Sequence, residues 1–139
     1  MADCLFCKIV GREIPAHTIQ EDENFLVFLD VNPVNPGHLL IIPKVHVESV
    51  FDLPDEQYKN IFETAKALST PLQNAMQSRK IGIAVEGFGV PHAHVHLVPL
   101  HNPNELNPER ATHMDDETLA TIAEKIKEEI AKAGTAEIK

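Results

Sequence analysis

Three histidines, His92, His94 and His96, stand at two-residue spacing in GVPHAHVHLVPL, an otherwise apolar run from Gly89 to Leu100. Imidazole does two kinds of chemistry near neutral pH: it ligates a metal such as zinc, and its neutral nitrogen attacks an electrophile such as phosphorus. Successive side chains of a strand point to opposite faces. The spacing therefore predicts the three imidazoles on one face and Ala93, Val95 and Leu97 on the other, toward the core. A catalytic zinc held by all three would also need a labile fourth position and carboxylates hydrogen-bonded to its ligands. The nearest acidic residues in sequence, Glu86 and Glu105, form no recognised zinc-hydrolase spacing with them.

A second cluster is the CxxC of Cys4 and Cys7, the only 2 cysteines in the chain. A structural disulfide is not expected in a reducing compartment, and a redox CxxC would follow the first strand of a βαβ unit, which MADCLFCKIVG does not. That leaves half of a zinc site, or two incidental thiols one helical turn apart. His17, His101 and His113 read as solvated, and PNELNPER reads as a surface loop.

The elements that must position these groups follow from patterning. Residues 4–11 predict a helical turn stopped by Gly11, then an extended HTIQED. FLVFLD (Phe25–Asp30) and HLLIIP (His38–Pro43) predict adjacent antiparallel strands, with the Pro, Asn and Gly of VNPVNPG turning between them. From Pro54, the apolar stripe Tyr58, Ile61, Phe62, Ala65 and Leu68 predicts a helix that Pro71 ends or kinks. IGIAVE (Ile81–Glu86) and HVHLVPL (His94–Leu100) predict a hairpin joined through GFGVP. Residues 101–114 read as loop, and 115–134 as an amphipathic C-terminal helix packed through Leu119, Ile122, Ala123, Ile126 and Ile130. Strands contiguous with one another favour an α+β sheet with helices to one side over a parallel, doubly wound fold.

A length of 139 residues suits a single domain, 1–139. A formal charge of −9 excludes a global basic field for nucleic acid or an anionic membrane, so any phosphate must meet a local site. No apolar run approaches the ~20 residues of a membrane span and no charged-then-apolar leader is present, so a soluble, cytoplasmic protein is expected.

HAHVHLVP, preceded by NPGHLLIIPKVH and by CLFCKIVGREIPAHTIQEDENFLVFLDVNP, resembles the histidine-triad (HIT) superfamily of nucleotide hydrolases and transferases, in its zinc-containing bacterial-type branch. The four blocks occur in the family's order between about Cys4 and Leu100. The resemblance implies a HIT-like fold, a five-stranded antiparallel sheet with flanking helices, paired into a homodimer. It also implies a purine nucleotide substrate, such as a nucleoside phosphoramidate or a dinucleoside polyphosphate, cleaved at the α-phosphorus. His94 would be the nucleophile that becomes nucleotidylated, His96 a hydrogen-bond donor to the phosphate, and His38 the fourth histidine that supports the nucleophile's orientation. Asp30 would accept from the ribose hydroxyls, and Ile9, Phe25 and Leu29 would line the base pocket. Cys4, Cys7, His46 and His92 would hold a structural zinc ion, closed to substrate.

The sequence departs from the family just before the triad. Where a Gly-Gln-Ser/Thr segment is usual, this chain has GFGVP, and neither Phe88 nor Gly89 carries a side-chain donor. Backbone N–H groups of Gly87 and Gly89 could replace the missing donors. The alternatives to a covalent hydrolase are a nucleotide-binding module with weak turnover, and a phosphoesterase whose zinc is held by the triad itself.

Overall fold

Phe25–Leu29 and Leu39–Pro43 carry only apolar side chains or proline, and they form β2 and β3, buried at every position. Strands of that kind must be covered on both faces. In this computed structural model, which describes residues 4–138, they lie inside a five-stranded sheet of order β1-β2-β3-β5-β4. β1 is Thr18–Glu21, β4 is Lys80–Ala84 and β5 is Val95–Leu100. All neighbouring pairs are antiparallel, which is the α+β architecture expected.

Strand alternation divides the core in two. Phe25, Val27, Leu29, Leu39, Ile41, Val95 and Leu97 pack against Ile61, Ala65, Leu68 and Leu72 of α2 (Asp55–Met76) and Leu119, Ile122 and Ile126 of α3 (Asp116–Ile138). On the opposite face Leu26, Phe28, Leu40 and Ile42 meet Cys4 and Phe6 at the short α1 (Leu5–Val10). The long helices thus lie to one side as expected, while α1 covers part of the other. Each fully buried Leu or Ile contributes roughly 1.5–3 kcal/mol relative to exposure.

Three sequence expectations need correction. Of the two outcomes expected at Pro71, an end or a kink, the end does not occur: α2 runs to Met76, where Gln77 caps it in the left-handed conformation. Pro71 forfeits one backbone bond, but it is buried with Leu68 and Leu72, and continuing that apolar face outweighs the loss. β4 ends at Ala84 rather than Glu86, and β5 begins at Val95 rather than His94. The connection is longer than GFGVP because the Ala93 N–H donates to the Val47 carbonyl (2.7 Å), drawing residues 92–94 away from β4. Pro91 has no N–H to offer a ladder.

The turn before β3 depends on Gly37, at φ +90°. A Cβ there would lie 2.7 Å from Met76 Cγ and 3.0 Å from Pro99 Cγ. Gly37→Ala is therefore expected to destabilise the fold by about 2 kcal/mol, from the positive φ and the overpacking together. A fall in Tm of roughly 5 °C by calorimetry would register it; an unchanged Tm would contradict this account.

Candidate active site and metal centre

A row of residues in register crosses the sheet: Phe28 on β2, Leu40 on β3, His96 on β5 and Ala84 on β4. This row faces α1, so His96 emerges on the side of the sheet that the long helices leave open. Of the triad, only His96 belongs to the strand; His92 and His94 precede it, and His92 is fully buried. The three are therefore not equivalent along one strand face, although Ala93, Val95 and Leu97 do face the core.

Hydrogen-bond partners assign the ring protons. The His92 carbonyl can only accept, so His94 Nδ1–H donates to it (2.7 Å) and His94 Nε2 keeps its lone pair. The Val34 N–H donates to His38 Nδ1 (3.2 Å), which puts the His38 proton on Nε2. His38 Nε2–H then donates to His96 Nδ1 (2.9 Å), so neutral His96 carries its own proton on Nε2. The result is a bare nitrogen on His94 beside an N–H on His96, with ring centroids 5.0 Å apart.

Burial, the main cause, lowers both His38 and His96 to about 4. At neutral pH the 3.7 Å approach of His38 Nε2 to Asp30 Oδ2 is therefore not an ion pair. Burial raises the Asp30 carboxyl, partly offset by the Asn32 N–H that it accepts. Unfolded histidines bind protons below about pH 6.5 that these two do not take up until about pH 4, so stability falls as pH drops through that window. The loss should be on the order of 3 kcal/mol for His38 and smaller for His96, which is more open to solvent and interacts with the His38 ring. Urea midpoints measured from pH 7 to pH 4 should descend from about pH 6.5 downward; a flat profile would refute the protonation states assigned here.

A cavity of about 520 Å³ opens over His94 and His96. Ile9, Leu29, Asp30, His38 and Gly89 line it, together with Leu5, Phe6, Phe28 and Leu40, which sequence reasoning missed. Two expected residues are not on its wall. Phe25 lies in the core against the long helices, because alternation along β2 sends Phe28, not Phe25, toward α1. Gly87 is likewise not part of the lining, whereas Phe88 is, 81% exposed at the rim. An all-apolar strand offers no alternation by which Phe28 could have been preferred.

The second constellation closes beside the first. Cys4 caps α1, Cys7 lies within it, His46 follows β3 and His92 precedes β5; their donor atoms all lie within 4.8 Å of one another. Cys4 Sγ and Cys7 Sγ are 3.3 and 3.5 Å from His92 Nδ1, Cys7 Sγ is 3.2 Å from His46 Nδ1, and the two Nδ1 atoms are 3.3 Å apart. Metal bonds of ~2.3 Å to sulfur and ~2.0 Å to nitrogen at tetrahedral angles require donor separations of about 3.3–3.8 Å. His92 Nε2–H donates to the Pro43 carbonyl (2.8 Å), leaving Nδ1 bare toward the thiols. Burial, followed by Cys4, pushes the Cys7 thiol up, so the thiolate form awaits a cation. The four residues therefore fit a tetrahedral ion of zinc type.

Asp30, His38 and His96 also approach one another closely enough to suggest a metal. They do not suit one. The Val34 N–H on His38 Nδ1 keeps the proton on Nε2, the atom that would have to ligate.

A family profile described as HIT domain matches residues 11–103. The chain belongs to the HIT domain family. Among HIT relatives, Protein hit of Bacillus subtilis (strain 168) is 32% identical, over 94% of this chain and 97% of its own length. Adenosine 5'-monophosphoramidase HNT1 of Candida albicans is 33% identical over 94% of this chain and 93% of its own. A solved structure of a zinc-bound histidine triad family protein from Mycobacterium smegmatis superposes with a TM-score of 0.84 at 29% identity, covering 97% of this chain and 98% of that one. The HIT-like fold expected from the motifs is thus the fold found. The zinc-bound neighbour fits the bacterial-type branch.

Proposed function

We propose that this chain is a nucleotide hydrolase or nucleotidyl transferase that works through His94. The coarse assignment, a HIT-family nucleotide hydrolase, is supported by family membership and by relatives that bear hydrolase names. The finer reading rests chiefly on one observation: His94 Nε2 is bare while His96 offers an N–H beside it.

In that reading, a purine nucleotide places its base against Ile9 and Phe28 and its ribose hydroxyls on Asp30, while the Leu29 side chain packs toward the long helices. His94 Nε2 attacks the α-phosphorus; the N–P bond forms as the bond to the leaving group breaks, the neutral His96 ring donates an Nε2–H hydrogen bond to a phosphate oxygen and keeps its proton, and the leaving group takes its proton from solvent. The imidazole becomes cationic on phosphorylation, and its Nδ1–H bond to the His92 carbonyl stabilises that charge. Water then displaces the histidine from phosphorus, completing two easier steps in place of one. A nucleoside phosphoramidate or a dinucleoside polyphosphate meets these requirements.

Zinc in the Cys4, Cys7, His46 and His92 cluster would be structural, since four protein donors leave no position for substrate. A phosphoesterase using triad zinc is disfavoured, because His92 is aimed at the two thiols. The weak-turnover module draws support from Phe88, which stands where a donor is usual. Gly89 is at φ +88°, so a serine at that position would be strained. A homodimer is part of the proposal: Ile83 and Val85 lie exposed on and beside the edge strand β4, which has a free ladder side. A cytoplasmic location is also proposed; no helix among the described residues is long and apolar enough to cross a membrane.

The direct test is rapid acid-free quenching and mass spectrometry after brief exposure to adenosine phosphoramidate. A nucleotidyl adduct on the peptide containing His94 is expected. Turnover with no adduct under any quench would exclude the covalent route.

A further inference from the structure

We propose that Asn35, Glu105 and Arg110 form a positioning network that fixes the tautomer of His38 and, through it, the proton that His96 presents in the cavity. The catalytic consequence rests on the role proposed above for His96.

The relay of protons has a single origin. His96 carries its proton on Nε2 because its Nδ1 accepts from His38, and His38 donates from Nε2 because its own Nδ1 accepts the Val34 N–H. The two neutral tautomers of an imidazole differ little by themselves, so the bond made at one nitrogen decides which is present. Whatever orients the Val34 amide therefore decides which atom His96 offers to a phosphate.

Val34 lies in the turn between β2 and β3, and the next residue anchors that turn. Asn35 is buried, and its carboxamide is fully engaged: Nδ2–H donates to the Pro99 carbonyl (2.8 Å) and to Glu105 Oε1 (3.2 Å), while Oδ1 accepts from Arg110 (2.7 Å). Its own carbonyl accepts the His38 N–H (3.2 Å). Glu105 is buried as well and accepts the His101 and Asn102 N–H groups (2.6 and 2.9 Å), which hold its carboxyl down to about 2. Arg110 lies 3.6 Å from the other carboxylate oxygen. Thr112 N–H to the Pro33 carbonyl and Met114 N–H to the Val31 carbonyl complete a seam between the segment after β5 and this turn.

An ionised carboxylate is costly to bury unless its partners are fixed, so a network of this kind contributes orientation more than stability. The segment from His101 to Met114 lies beyond the blocks that carry the family resemblance, and only the folded chain brings it against the turn.

The test is Asn35→Ala alongside Arg110→Met, whose parent side chain is partly exposed and can be removed without opening the core. Histidine ¹⁵N NMR reads the tautomers directly, and steady-state kinetics on adenosine phosphoramidate reads their effect. In Asn35→Ala, His38 Nδ1 should shift from an acceptor signal toward a protonated one. Its kcat should fall roughly 10–100-fold with KM nearly unchanged. Arg110→Met should move both in the same direction by less, and Arg110→Lys should restore part of the shift. Wild-type tautomers in a folded variant would overturn the proposal, as would a fall in kcat without a tautomer shift. Should Asn35→Ala fail to fold, Arg110→Met decides between the same outcomes. If the wild type cleaves no nucleotide, the function proposed above fails, while the nitrogen shifts still test this network.

Discussion

His94→Asn is expected to lower kcat by at least ~10⁴-fold while the protein remains folded, metal-loaded and able to bind nucleotide. The asparagine Nδ2 can still donate toward the His92 carbonyl that His94 now engages, so the local backbone loses little. What disappears is the bare ring nitrogen, and no other group in the cavity supplies it: the proton assigned to His96 Nε2 makes that ring a donor, and His38 is committed to Val34 and His96. Removing a nucleophile deletes a step rather than weakening a contact, which is why the effect should far exceed that of a lost hydrogen bond. Isothermal titration with AMP should give a Kd within a few-fold of wild type, and metal analysis should be unchanged. Residual turnover above about a tenth of wild type would mean that water attacks phosphorus directly. Loss of bound metal together with activity would instead favour the triad-zinc phosphoesterase.

Removing the zinc proposed for the Cys4, Cys7, His46 and His92 cluster should have the second-largest effect, on stability and on nucleotide affinity together. α1 has only six residues, far below the length at which a helix holds in water by itself. It is held to the sheet by Phe6, packed edge-on against Phe28 and His94, and by the thiols of Cys4 and Cys7. Without a cation, only weak thiol–imidazole hydrogen bonds tie α1 to His46 and His92, in place of four metal bonds. Exhaustive chelation, or Cys7→Ser, is expected to lower Tm by roughly 10 °C or more, several kcal/mol for a chain of this size. Because Leu5, Phe6 and Ile9 wall the cavity, KM should rise in the same samples. Calorimetry with parallel metal analysis checks the first effect; a protein of equal Tm with and without metal would remove the structural role.

Much of this was legible before folding was considered, and the reason differs from residue to residue. β2, β3 and the stripe of α2 announce themselves because their burial is imposed by composition: Phe25–Leu29 can only be a strand covered on both sides. That same uniformity hid which side chains face the cavity, so Phe25 was expected there and Phe28 was not. Pro71 reads locally as a helix stop, yet the core stripe on either side of it carries α2 past. Cys4, Cys7, His46 and His92 could be named as a set from their blocks, and folding brings together donors that lie up to 88 residues apart.

Residue types and their order along the chain thus specified the kind of chemistry, the family, and the elements that carry the histidines. They did so because imidazole, thiol and apolar periodicity are properties of the residues themselves. Protonation could not be read in the same way. Which nitrogen of His94 is bare, and which of His96 is not, depends on the single carbonyl or amide that each ring meets. His92 and Val34 are near neighbours in sequence of the rings they meet, but the bond from His38 to His96 and, behind Val34, the seam of Asn35, Glu105 and Arg110 exist only where separate segments of the chain come into register.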